Sequence, residues 1–120
     1  MIAIVDDDAE VRGSLLSLMR SAGFDARGFD GAMAFLDSPW LGQAACLITD
    51  LHMPAMDGLG LQAALRDAGS DLPVIIMTAF ADPILRQRAL DAGAVAFLCK
   101  PLDPEELLAR VEATVAGRHA

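Results

Sequence analysis

The 120 residues of this chain suffice for one domain with one core. Hydrophobic residues make up 54% of it and charged ones 22%, a balance that excludes disorder and suits a fold with much of its backbone buried. Nine Lys and Arg against seventeen Asp and Glu give a formal net charge of -8, the wrong sign for gripping a phosphate backbone, so no direct nucleic-acid binding is expected, whereas converging carboxylates would gather cations.

The opening Met1–Val5 has no basic leader, runs straight into Asp6-Asp7-Asp8, and reads as a first strand over Ile2–Val5. Val11, Leu15, Leu18, Met19 and Ala22 then share one face at helical period, and Gly23 stops that helix. A weaker strand over Asp25–Phe29 carries Asp25 and Arg27 and looks like a sheet edge, and a helix fits after Asp30. Phe35, Met33 and Trp40 read as core or surface filler. Cys46–Thr49 is the third strand, followed by a helix after Asp57. Val74–Thr78 is the fourth, followed by Asp82-Pro83 as the start and Gly93 as the stop of a helix carrying Leu85, Ala89 and Ala92. Val95–Cys99 is the fifth, and Asp103-Pro104-Glu105-Glu106 opens a last helix with Leu107, Leu108, Val111 and Val115 inside. Residues 118–120 are expected to be a tail, and the start of a linker in a longer chain. No apolar run approaches the roughly 18 residues of a membrane span, so a cytoplasmic protein without membrane contact is expected.

Strand and helix thus alternate five times, which predicts an α/β fold with a parallel, doubly wound sheet and helices on both faces. Near-continuous apolar strands fit a sheet covered on both sides. Cys46 and Cys99 lack CxxC spacing, lie in apolar stretches, and read as buried thiols.

Ligands of such sheets bind outside the carboxyl ends of the strands. Standing there are Asp6, Asp7 and Asp8 after the first strand, Asp50 after the third, Thr78-Ala79 after the fourth and Lys100-Pro101 after the fifth. Carboxylates from Asp6, Asp7 and Asp50 repel one another unless a cation sits between them, and hard oxygen ligands with room for water suit Mg²⁺, with Mn²⁺ as an alternative. A metal that keeps open positions can neutralise an in-line phosphoryl transfer, leaving one carboxylate as nucleophile. Asp50, central in the sheet, is best placed for that role. Lys100 supplies a point charge, Thr78 a hydrogen bond, and Ala79 is too small to block the approach. Asp8 reads as a helix cap.

On Ile4-Val5-Asp6-Asp7, Thr49-Asp50-Leu51-His52-Met53-Pro54 with Asp57-Gly58, Met77-Thr78-Ala79 and Phe97-Leu98-Cys99-Lys100-Pro101, the chain resembles the receiver domain of two-component response regulators, in the CheY-like superfamily, over residues 1–117. The stretches at Asp50–Pro54 and Gly93–Phe97 look most like the FixJ-type branch. The resemblance implies a flavodoxin-like (βα)5 fold with strand order 2-1-3-4-5. It implies that Asp50 takes a phosphoryl group from a sensor histidine kinase, that Asp7, Asp50 and the backbone carbonyl of His52 ligate the metal, that Asp6 holds a coordinated water, and that the Lys100–Pro101 bond is cis. It further implies a switch in which Thr78 moves toward the phosphoryl group and Phe97 turns inward. The face of the fourth helix, fifth strand and fifth helix would then engage an output partner, generally in transcription, or a second copy of the chain. Phe97 lacks the phenolic oxygen of a Tyr, which makes its two positions less distinct. The implied strand order also puts the fourth strand between Cys46 and Cys99, about 9 to 10 Å apart, too far for a disulfide.

His52 and Phe80 are candidates for flanking the phosphoryl group and setting its hydrolysis rate. On this reading the domain is a signalling module and not a metabolic enzyme, with at most slow self-dephosphorylation. Two other readings differ in the residue modified. A haloacid-dehalogenase-type phosphatase would attack through Asp6 of Asp6-Asp7-Asp8, and a receiver-like interaction module would never be phosphorylated at all.

Overall fold

The computed structural model describes residues 1–80 and 82–118. Five strands, β1 (Ile2–Val5), β2 (Ala26–Phe29), β3 (Cys46–Asp50), β4 (Val74–Thr78) and β5 (Ala96–Cys99), form one parallel sheet in the order β2-β1-β3-β4-β5. Between and after them run α1 (Ala9–Ser21), α2 (Ala32–Leu36), α3 (Gly58–Asp67), α4 (Pro83–Asp91) and α5 (Pro104–Arg118). The fold is the doubly wound, flavodoxin-like one expected. His119 and Ala120 of the expected tail lie outside the described residues, and α5 runs on through Gly117 and Arg118.

Strand alternation divides the core in two. Ile2 and Ile4, Cys46 and Ile48, and Ile75 and Met77 face α1 and α5, where they meet Leu15, Met19, Leu107 and Val111. Ala3 and Val5, Leu47, Val74 and Ile76 face the other way, against Phe35 of α2, Leu61 and Leu65 of α3 and Ala89 of α4. Because both faces are covered, β1, β3 and β4 are buried at every position.

Four of the five helices start where a carboxylate can take the first free backbone N–H groups, while α2 starts after Gly31 with no side-chain cap. Asp8 accepts from Glu10 and Val11, Asp57 from Gly60, Asp82 from Ile84 and Leu85, and Asp103 from Glu105. α1 and α4 end as the glycines suggested. Gly23 (φ 89°) and Gly93 (φ 100°) take the left-handed conformation, and the three N–H groups that follow each helix end fold back onto its last carbonyls.

Several boundaries differ from the sequence reading. Asp25 precedes β2, Asp50 is the last residue of β3 through its pairing with Met77, and Val95 precedes β5. Ala22 caps α1 and is exposed. Cys46 is buried as expected, but Cys99 is exposed, and neither is in a disulfide. The reason is positional: β5 is an edge strand, and Cys99 shares the Phe97 side of it, where the first turn of α4 stands off. Met33 is exposed, Phe35 is fully buried, and the ring of Trp40 lies 4.0 Å beneath the Arg27 guanidinium. Among the described residues no helix is long and apolar enough to cross a membrane.

Candidate functional site

The register Val5↔Thr49 and Asp50↔Met77 brings the ends of β1, β3 and β4 to one level, and the next residues of the chain leave the sheet there. Asp6, one residue beyond β1, is fully buried, Asp50 is 8% exposed, and Asp7 is exposed at the mouth. Ligand atoms of the three carboxylates lie within 4.8 Å of one another. Lys100 reaches in from the end of β5, with Nζ 3.4 Å from Asp6 Oδ2 and 3.5 Å from Asp50 Oδ2. One ammonium against three carboxylates leaves the cluster with surplus negative charge, the electrostatic condition for holding a divalent cation.

Asp6 is held at both oxygens. Oδ1 accepts the N–H of Asp8 at 2.9 Å, and Oδ2 faces Lys100. Burial pushes its carboxyl pKa up from the ordinary 3.8, aided by the charge of Asp50 and opposed by the Asp8 N–H and Lys100. The His52 carbonyl, two residues beyond the end of β3, accepts no hydrogen bond from any described residue.

Thr78 ends β4, fully buried, and its hydroxyl accepts the N–H of Phe80 at 3.1 Å. Its carbonyl accepts the N–H of Lys100 at 2.7 Å, which ties the ends of β4 and β5 together. Ala79 is exposed beside it. Across the mouth, the rings of His52 and Phe80 meet edge to face, with centroids 5.4 Å apart. Phe97 does not reach the carboxylates: it points into the core on the α3–α4 side and is 9% exposed. The Lys100–Pro101 peptide is cis.

The structure adds two residues that the sequence reading did not single out for the site. Arg12 of α1 turns back so that Nη1 donates to the carbonyl of Asp6 at 2.7 Å, fixing the turn that carries the acids. Gly58, quoted above only as part of a motif, packs so closely on the end of β3 that a Cβ would sit 2.8 Å from the carbonyl oxygen of Asp50. The absence of a side chain there lets α3 begin directly under the site. The i to i+6 spacing of Asp6 and Arg12 was visible in the sequence, but nothing in it says which way the guanidinium turns.

A doubly wound sheet with buried acids and a lysine gathered at its carboxyl edge defines a class of small α/β domains that bind charged ligands at that edge. The model of the response regulator receiver domain family matches residues 2–112, and the chain belongs to that family. It is 41% identical over 115 residues to the transcriptional regulatory protein FixJ of Bradyrhizobium diazoefficiens, covering 95% of this chain and 56% of that protein. It is 38% identical over 115 residues to the response regulator protein TodT of Pseudomonas putida, covering 96% and 51%. The chain therefore spans about half the length of the curated relatives it matches. Among solved structures, FixJ-N superposes with a TM-score of 0.86 at 32% identity, over 96% of this chain and 92% of the other. The response regulator StyR superposes with a TM-score of 0.89 at 39% identity, over 98% and 61%. The family is one of signalling proteins of two-component systems, and these relatives are regulators.

Proposed function

We propose that residues 1–117 are a phosphorylation-controlled switch in which Asp50 accepts a phosphoryl group from the phosphohistidine of a sensor histidine kinase. The observation that carries this reading is the position of Lys100 Nζ, between the buried carboxylate of Asp6 and the accessible end of Asp50. In the transfer an Asp50 carboxylate oxygen attacks phosphorus in line, the P–N bond breaks, and its electron pair stays on the imidazole. Lys100 would then face a phosphoryl oxygen, and Thr78, released from the Phe80 N–H, would supply a hydrogen bond to another.

Asp7, Asp50 and the His52 carbonyl would hold Mg²⁺, with Mn²⁺ as a substitute, and Asp6 would hold a water of the ion. When bound, the cation supplies charge neutralisation at the phosphoryl oxygens. The fit rests on the surplus negative charge of the cluster and on the unoccupied acceptor capacity of the His52 carbonyl.

Asp6 is the less suitable acceptor, since both its oxygens are engaged and it is fully buried. This weighs against the phosphatase reading. The pair His52 and Phe80 stands where water would approach the phosphoryl group, and substituting both with Ala should alter the lifetime of the phosphorylated form. Self-dephosphorylation is then the only turnover the domain performs. Movement of Thr78 and Phe97 would reshape the surface of α4, β5 and α5, which engages a downstream output partner controlling transcription or a second copy of the chain. All of this takes place in the cytoplasm.

The test is phosphorylation by a small acyl phosphate with Mg²⁺, followed by peptide mapping of the modified residue. Modification at Asp50 supports the reading, and modification at Asp6 supports the phosphatase instead.

A further inference from the structure

α4 is the least anchored of the four longer helices. Ala89 is its one fully buried residue among those described, and Ile84, in its first turn, is 71% exposed. Under that first turn lies a cleft of about 140 Å³ between Asp82, Pro83 and Arg86 on the helix and Phe97 and Cys99 on β5. Its other end is held quite differently. Gln62 and Arg66 stand one turn apart on α3 and both reach across to the last carbonyls of α4. Gln62 Nε2 donates to the Ala89 carbonyl at 3.2 Å, and Arg66 Nη2 donates to the Ala92 carbonyl at 3.1 Å. The Ala89 carbonyl also accepts the N–H of Ala94, so both its lone pairs are used at this one point.

Gln62 is 5% exposed, and its Oε1 accepts no hydrogen bond from the described residues. A buried amide that leaves one end unpaired is destabilising relative to an apolar side chain of the same size. Only the donor end does anything for the fold, and it is spent on the end of α4. The Arg66 guanidinium adds a positive charge at the negative pole of the α4 dipole.

We propose that Gln62 and Arg66 are positioning residues that pin the C-terminal end of α4 to α3 and make it a pivot. The N-terminal turns, above the cleft and continuous with the Thr78–Phe80 segment, are then the part that moves when Asp50 is phosphorylated. The second half of this statement rests on the function proposed above, while the pinning itself does not.

The experiment is amide hydrogen exchange read by mass spectrometry on the whole chain, for the wild type, Gln62→Met, Arg66→Ala, the double variant and Arg66→Lys. Each is measured untreated and after treatment with a small acyl phosphate and Mg²⁺, with intact mass reporting the phosphoryl adduct separately. In the untreated double variant, peptides over residues 89–94 should exchange about tenfold faster, as loss of the two bonds requires, while α1 and α5 keep their rates. Each single variant should show part of the effect, and Arg66→Lys should retain more protection than Arg66→Ala. In the phosphorylated wild type the change in exchange should be confined to residues 83–88, and in the double variant it should extend through 94. Unaltered exchange over 89–94 in the untreated double variant would overturn the pinning, and so would equal acceleration in α1 and α5. A change spread evenly over α4 in the phosphorylated wild type would overturn the pivot. Absence of an adduct on the wild type would instead count against the function proposed for Asp50, with the untreated comparison still deciding the clamp.

Discussion

Within three residues β3 passes from Leu47 and Ile48, each fully buried and packed on opposite faces of the sheet, to Asp50, whose mostly buried carboxylate lies beside a lysine at the site mouth. The middle of β1, β3 and β4 supplies stability, with Ala3, Ile4, Leu47, Ile48, Ile75 and Ile76 all fully buried. The carboxyl edge of the sheet does the reverse, crowding carboxylates where their mutual repulsion and desolvation oppose folding. The lesson is that the interior supplies the stability with which the edge holds an arrangement that would not persist alone.

Substitutions in the two regions should therefore separate. Ile75→Ala, in the middle of β4 and fully buried, should destabilise the domain by about 2–5 kcal/mol in denaturant unfolding while leaving the modified residue unchanged. Gly58→Ala sits at the boundary. Its Cβ would press on the Asp50 carbonyl, with an expected loss of about 1–3 kcal/mol, and displacement of the acceptor should slow phosphorylation by about tenfold or more. Unperturbed kinetics in this variant would break the comparison, since the edge would then tolerate shifts as a surface loop does.

Smaller effects of opposite sign are expected within the edge itself. Ala55, in the loop after β3, has φ 67°, a conformation that favours glycine, so Ala55→Gly should raise stability by about 0.5–1 kcal/mol. Asp6→Asn should raise the thermal midpoint by degrees at neutral pH, because burial holds the Asp6 pKa above its unfolded value. A raised pKa contributes stability that is complete below the unfolded value and is lost as pH rises through the folded one. The advantage of the variant should accordingly shrink as pH falls through the raised pKa and vanish below about 3.8, which thermal melts across that range would check.

The fold was legible because short apolar runs, helix caps and glycine stops are local signals. Ile2–Val5 and Val74–Thr78 were bounded by composition alone, whereas the ends of β3 and β5 depended on pairing: Asp50 belongs to its strand because Met77 lies opposite. The site residues Asp6, Asp7, Asp50, Thr78 and Lys100 were legible because topology sends every strand end to one edge. Arg12, Gln62 and Arg66 were not, because each acts on a backbone carbonyl, and a carbonyl leaves no mark on the sequence. Cys99 was misjudged for a related reason: its neighbours are apolar, but its exposure depends on where α4 stands off an edge strand.

The central claim is that Asp50, and not its buried neighbour Asp6, is the phosphoryl acceptor. Intact-mass measurement after incubation with a small acyl phosphate and Mg²⁺ tests it most directly, comparing the chain with its Asp50→Asn variant. One added phosphoryl group is expected on the wild type and none on the variant. An adduct of equal yield on both would contradict it.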